Sequence, residues 1–255
     1  MLNYILVSLV AGGFAWEIIK IGVPILQQMV EQKRTARKTL NQNLDPILKA
    51  SDELYGKLVS LAREDFSGFA PKSDRAKPLS HNQKYVCYLF AQFWGRIEYI
   101  RIQSQYSSVS KLKKGGELLR FIYTCETKKF RILDRSMQRI IGEAMIKDEN
   151  KTFRIMSLNE FMRKLDIPGT DIYKWVEHLA PVIKDSANEK TRQQILRYGI
   201  IIGALIEHFD PKHKIVLPRN VYVNKLTDKS RKFLQQELFK NYLPFVSEKE
   251  RFYTK

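Results

Sequence analysis

Hydrophobic positions recur at steps of three and four residues through most of the chain, which predicts a helical protein. The clearest case is KYVCYLFAQFWGRIEYIRIQSQY, where one stripe is formed by Val86, Phe90, Phe93, Ile97 and Ile100. Further apolar side chains widen this stripe until the helix is hydrophobic nearly all round, as in the central element of a bundle. The residues from Phe153 to Met156 have strand-like character, and HKIVLPRNVYVN is extended in character. The pattern therefore predicts an all-α fold.

The chain opens with MLNYILVSLVAGGFAWEIIK, which carries no charged residue between Leu2 and Trp16. A helix from Leu2 to about Gly22 would be about 30 Å long, and this length matches the hydrocarbon core of a bilayer. We therefore predict a transmembrane anchor at residues 1–23, followed by a cytoplasmic helical bundle.

The charges that flank this segment set its orientation. No Lys or Arg precedes it, and it is followed by Lys20, Lys33, Arg34, Arg37 and Lys38. The positive-inside rule predicts a single-pass protein of the cell inner membrane with the bulk of the chain in the cytoplasm. Two alternatives stay open: a buried or peripheral helix, and a cleaved signal peptide, which normally has a basic first region that is missing here.

Small residues lie four apart on the predicted anchor, Ser8 with Gly12 and Ala11 with Ala15. This spacing lets two helices approach closely in lipid. The expected partners are therefore membrane lipid and a second copy of the chain, in a homo-oligomer.

The rest of the chain divides at its turn signals. Residues 24–65 are predicted to form an amphipathic helical stalk or a helical hairpin, because Asp45-Pro46 resembles the start of a new helix. Their apolar positions form a seam that packs on the same chain or in a coiled coil, and the seam consists of Leu40, Leu44, Ile47, Leu54, Leu58 and Leu61, interrupted by Ser51. Residues 66–82 contain Gly and two Pro and are predicted to be a linker or long loop. Residues 83–255 are predicted to form the helical bundle domain.

The composition of the chain indicates a further class of partner, the polyanions. Contents of 44% hydrophobic and 28% charged residues are typical of a folded protein, and two cysteines among apolar residues fit a reducing compartment. The net charge of +17 favours binding to polyanions, either anionic lipid or nucleic acid. The densest basic stretch predicts a surface made of Lys111, Lys113, Lys114, Lys128, Lys129, Arg131, Arg135 and Arg139.

No residue pattern indicates a metal site or a cofactor. His208, Asp210 and His213 are close in sequence, but they lack the ligand spacing of zinc sites. The chain also has no phosphate-binding glycine loop and no serine nucleophile motif.

Two weaker patterns concern nucleases. Glu126-Thr127-Lys128 has the letters of an E-x-K triplet but lies in helical surroundings, where carboxylate nucleases would need a strand. Arg75 and His81 have the spacing found in some helical ribonucleases, but a proline between them breaks the helix that would hold both. We therefore expect no catalytic activity.

Two stretches, YLFAQFWGRIEYIR and RIIGEAMI, resemble a group of uncharacterised bacterial proteins with a single-pass anchor and a helical cytoplasmic domain. The resemblance implies this layout and no activity. The leading hypothesis is a non-enzymatic, membrane-anchored protein that acts by self-assembly and a basic surface, as a scaffold or a membrane-perturbing effector. The alternatives are a soluble or peripheral nucleic-acid-binding protein and a hydrolase or nuclease whose site is assembled from distant residues.

Overall fold

Helices account for most of the chain in a computed structural model. The structure describes residues 2–69, 78–104, 109–149 and 152–255, although for residues 2–22 and 152 it describes only the backbone. The predicted all-α class is confirmed. In the described part of the chain, the α-helices are α1 Leu2–Arg63, α2 His81–Ser104, α3 Lys113–Glu126, α4 Arg135–Ala144, α5 Leu158–Leu165, α6 Asp171–Val176, α7 Ala180–Lys184, α8 Glu189–Phe209 and α9 Asp228–Phe233.

Shorter elements complete the fold. A two-stranded antiparallel hairpin, β1 Ile146–Glu149 and β2 Thr152–Ile155, pairs Ile146 with Ile155. Helix α9 continues as a π-helix over Leu234–Tyr242. The 3-10 turns are Ser67–Phe69, Val109–Lys111, Asp185–Ala187, Val223–Lys225 and Lys249–Phe252. The strand-like character predicted for Phe153 to Met156 is confirmed within one residue at each end.

Helix α1 runs without a break through Pro24 and Pro46. The predicted new helix start at Asp45-Pro46 is therefore wrong, and residues 24–65 form no helical hairpin. A proline inside a helix removes one backbone hydrogen bond and crowds the preceding turn. Burial of the flanking side chains Ile47 and Leu48, which are at most 1% exposed, offsets this cost.

The leucine seam of α1 packs within its own chain, against α2 and α8. The intramolecular alternative is therefore confirmed for this seam. Ser51, which interrupts the apolar series, is itself fully buried, and its hydroxyl has no hydrogen-bond partner among the described residues.

Glycines set the spacing between the central helices. A side chain at Gly95 of α2 would meet Met145 and the backbone of Gly142 in α4. On α8, Gly199 lies against the Tyr222 hydroxyl, and Gly203 against the Tyr55 ring. Both positions of α8 therefore leave no room for a side chain without movement of a neighbour.

Local capping signals fix several helix starts. Asp134, Ser157 and Thr227 each accept a hydrogen bond from a backbone N–H in the first turn of the following helix. Each cap depends on residues only two or three positions apart, so it is encoded locally in the sequence.

The predicted linker at 66–82 begins inside the core. Phe66 and Phe69 are at most 3% exposed and pack edge to face with ring centroids 6.4 Å apart. Residues 70–77 lie outside the described part of the chain, and α2 begins at His81.

Of the helices that the structure describes with their side chains, none is long and apolar enough to cross a membrane. The predicted anchor at residues 1–23 falls almost entirely on residues described only by their backbone. The predicted packing face of Ser8, Ala11, Gly12 and Ala15 likewise lies outside the described side chains.

Candidate functional site

The described side chains of α1 begin with a stretch that makes little contact with the bundle. From Val23 to Thr35 no residue of α1 is buried, and Ala36 is the first buried one. Five large apolar side chains in this stretch are between 45% and 64% exposed: Val23, Ile25, Leu26, Met29 and Val30. Met29 and Ala36 are seven residues apart and therefore share one helix face. The face that packs on the bundle thus continues beyond it as an uncovered apolar surface.

A basic segment from a distant part of the sequence lies beside this part of α1. The ammonium group of Lys111 donates a hydrogen bond of 3.1 Å to the side-chain carbonyl of Gln32. Between them is a small, mostly apolar hollow of about 40 Å³, lined by Met29, Gln32, Lys33, Ala36, Lys111 and Leu112. The turn Val109–Lys111 and the start of α3 are therefore held against α1 where it leaves the bundle.

Seven cations gather at this end of the bundle, which we call the basic end. They are Lys33, Arg34, Arg37 and Lys38 of α1 and Lys111, Lys113 and Lys114 of the adjoining segment. All seven are exposed. Among the described residues, none of them forms an ion pair with a carboxylate. Their charge is therefore available to an anionic partner.

Helix α3 divides the eight residues of the predicted basic surface into two groups. Lys111, Lys113 and Lys114 belong to the basic end, whereas the other five follow α3. That helix has 14 residues and is about 20 Å long.

Four of these five residues are engaged in ion pairs. Lys129 lies 2.6 Å from Glu237, and Arg131 lies 2.6 Å from Asp134. Arg135 and Arg139 pair with two buried glutamates, at 3.1 Å and 3.4 Å, respectively. Lys128 alone of the five has no described partner. The charge of these four residues is therefore partly compensated within the chain.

The two buried glutamates belong to a second cluster, the Glu–Arg cluster, made of Glu98, Arg101, Glu126, Arg135 and Arg139. Glu98 is 2% exposed and Glu126 is 5% exposed. The two terminal nitrogens of Arg101 bind them both, one to Glu98 and the other to Glu126 at 2.5 Å. Burial of a carboxylate is costly unless a cation compensates it, and Arg101 contacts both carboxylates, while Arg135 and Arg139 each contact one of them.

Burial raises the pKa of the Glu98 carboxyl above its ordinary value of 4.5, although Arg101 and Arg139 act in the opposite direction. One oxygen of Glu126, Oε2, accepts no hydrogen bond from the described residues, although Arg135 Nε lies within ion-pair distance. The sequence placed Glu126 in a nuclease-like triplet with Lys128. In the structure the carboxylate turns inward to arginines, whereas Lys128 is exposed.

The histidine-containing patterns serve packing and capping. His208 Nε2 lies 3.1 Å from a Glu117 oxygen, and its ring packs on Phe209 and Phe245. Asp210 accepts backbone hydrogen bonds from residues 214–216, which closes the end of α8. No group of three or more metal-ligating side chains occurs in the part of the chain that the structure describes. Arg75, the proposed partner of His81, lies outside that part.

Comparison with known proteins gives no match to a family model, to a curated protein or to a solved structure. The two stretches that carry the sequence resemblance, residues 88–101 and 139–146, pack on each other at the close contact of Gly95 and Gly142. Their composition therefore has an explanation in the packing of the core, and function is inferred from the surfaces alone.

Proposed function

We propose that the chain is held in the cell inner membrane by a helix at residues 1–23 and that its basic end lies on the anionic cytoplasmic surface. One observation carries this proposal. The cations of α1 and those at the start of α3 meet at the end of the bundle from which the exposed apolar stretch of α1 emerges. This is the arrangement expected of a helix that passes from lipid through the headgroup layer into a cytoplasmic domain.

The dimensions of α1 agree with this orientation. From Val30, the last exposed large apolar residue, to Lys38 is a rise of about 12 Å. The apolar and basic parts are therefore close enough to occupy the acyl boundary and the headgroups at the same time. A cation near an anionic surface contributes about 1 kcal/mol, so the seven residues of the basic end contribute at most about 7 kcal/mol.

The bundle would then act as a scaffold or membrane-perturbing effector held at a fixed height by the rigid helix α1. Self-association through the small residues of the anchor, Ser8 with Gly12 and Ala11 with Ala15, belongs to the same proposal.

Two measurements test the proposal. The full chain should stay with the membrane in alkaline carbonate, and release of the intact chain would contradict the anchor. In nanodiscs that contain phosphatidylserine, amide exchange over residues 109–117 should be slower than in phosphatidylcholine alone. This protection should disappear in the double variant Lys113→Glu/Lys114→Glu.

A matched control is the double variant Lys128→Glu/Lys229→Glu, which reverses two exposed cations away from the basic end. It should keep the protection. Equal protection in both lipid compositions, or equal loss in both double variants, would refute contact of the basic end with anionic lipid. Nucleic acid that co-purifies and dissociates steeply with salt, together with release in carbonate, would instead support the nucleic-acid-binding alternative.

A further inference from the structure

Arg135 and Arg139 form an unusual pair on the outer side of α4. They are four residues apart and therefore lie on the same helix face. Their side chains are 52% and 42% exposed, yet the Nε atom of each lies against a buried carboxylate, Glu126 at 3.1 Å and Glu98 at 3.4 Å. No hydrogen bond joins the terminal nitrogens of either guanidinium group to a described residue.

The carboxylates below them are held side by side. Both are bound by the two terminal nitrogens of one guanidinium group, that of Arg101. Because those nitrogens belong to one planar group, the two carboxylates are close neighbours. The Nε of Arg139 donates a hydrogen bond to Glu98, and the Nε of Arg135 lies within ion-pair distance of Glu126, so both guanidinium groups are held at the buried carboxylates before any ligand binds.

The Glu–Arg cluster carries more positive charge than its two buried carboxylates need for compensation. Two guanidinium groups would neutralise Glu98 and Glu126, but three are present. The surplus positive charge is at the surface, on α4. The nearest further acid on that helix is Glu143, one turn beyond Arg139, and it is exposed.

We infer that Arg135 and Arg139 bind a phosphate group, as inorganic phosphate or a small phosphomonoester. The free edge of a guanidinium group offers two parallel N–H donors, which match two oxygens of a phosphate. Two such edges supply four donors, and a phosphate presents at least three oxygens in a tetrahedral arrangement, so each edge can bind a different pair of them. This site is independent of the basic end and of membrane anchoring, so either proposal can fail without the other.

The test is phosphate binding to the purified full chain in detergent, measured by calorimetry at constant ionic strength with chloride as the balancing anion. Inorganic phosphate and glycerol phosphate should each bind saturably. The double variant Arg135→Lys/Arg139→Lys keeps both charges, and hence the compensation of the glutamates, but loses the paired donors. Its dissociation constant for phosphate should be at least tenfold higher.

Two further variants make the result specific. Arg154→Lys alters an exposed arginine of the β-hairpin that is paired with Glu149 and Glu160, and it should bind phosphate like the unmodified chain. Glu143→Gln removes the neighbouring acid and should tighten binding severalfold. The urea midpoint of each variant without phosphate should match that of the unmodified chain, which shows that the bundle is intact.

Absence of saturable phosphate binding by the intact chain would overturn the inference, as would unchanged affinity in Arg135→Lys/Arg139→Lys. Binding of RNA at this surface without binding of either small phosphate compound would also overturn it.

Discussion

The buried side chain of Gln138 holds the turn between α3 and α4, and its replacement tests how much this turn contributes to the free energy of unfolding. Gln138 is 2% exposed. Its Oε1 accepts hydrogen bonds from the backbone N–H groups of Ile132, at 3.0 Å, and Leu133, at 3.3 Å. Its Nε2 donates to the carbonyl of Cys125 at 3.3 Å. One amide thus satisfies three backbone groups of a segment that has no regular hydrogen-bond ladder.

The substitution Gln138→Met keeps the length of the side chain and removes all three hydrogen bonds. A buried polar group without a partner costs about 1–3 kcal/mol. Two of the three bonds are long, so about 1 kcal/mol for each group is appropriate, which gives a loss of about 3 kcal/mol in the free energy of unfolding. For a chain of this size the melting temperature should fall by about 6–12 °C.

Urea denaturation of the full chain in detergent, followed by far-ultraviolet circular dichroism, measures this loss. The control is Gln194→Met, which removes one side-chain bond, of 2.7 Å, to the carbonyl of Arg131 in the same turn. The control should cost about 1 kcal/mol. Equal losses in the two variants, or a loss below about 1 kcal/mol for Gln138→Met, would refute the account of this turn.

Two more predictions concern the core and the Glu–Arg cluster. Gly199→Ala places a methyl group on the phenol that covers this glycine and should cost about 1–3 kcal/mol in thermal unfolding, whereas Gly68→Ala, which meets no atom within 4 Å, should be close to neutral. A buried carboxyl whose pKa is raised holds its proton more tightly in the folded chain. The unfolding free energy of the unmodified chain, relative to Glu98→Gln, should therefore fall as pH rises above 4.5. A pH-independent difference in urea titrations would show that burial does not control this carboxyl.

Short-range sequence signals predicted the helices well. The stripe of α2 depends on residues three and four positions apart, and the caps at Asp134, Ser157 and Thr227 depend on neighbours two or three positions away. Such signals act within a single turn of helix, so they are visible in the sequence without knowledge of the fold.

The break predicted at Asp45-Pro46 is wrong because the contacts that keep α1 continuous join residues far apart in the sequence. The local preference of proline is real, but the two residues that follow it, Ile47 and Leu48, are buried in the core of the bundle. The energy of that burial comes from segments far away in the sequence, and a local pattern contains no information about it. Tertiary packing commonly overrides propensity in this way.

The sequence and the tertiary structure likewise determine different properties of the surfaces. The sequence by itself determined a basic, helical chain with an uncharged opening segment, because charge and periodicity are properties of the residues present. Only the tertiary structure decided which cations stay free and which are paired. Gln32 meets Lys111 across 79 positions, and Glu98 meets Arg139 across 41. The physical reason is that an ion pair depends on distance in space, which the packing of whole helices sets.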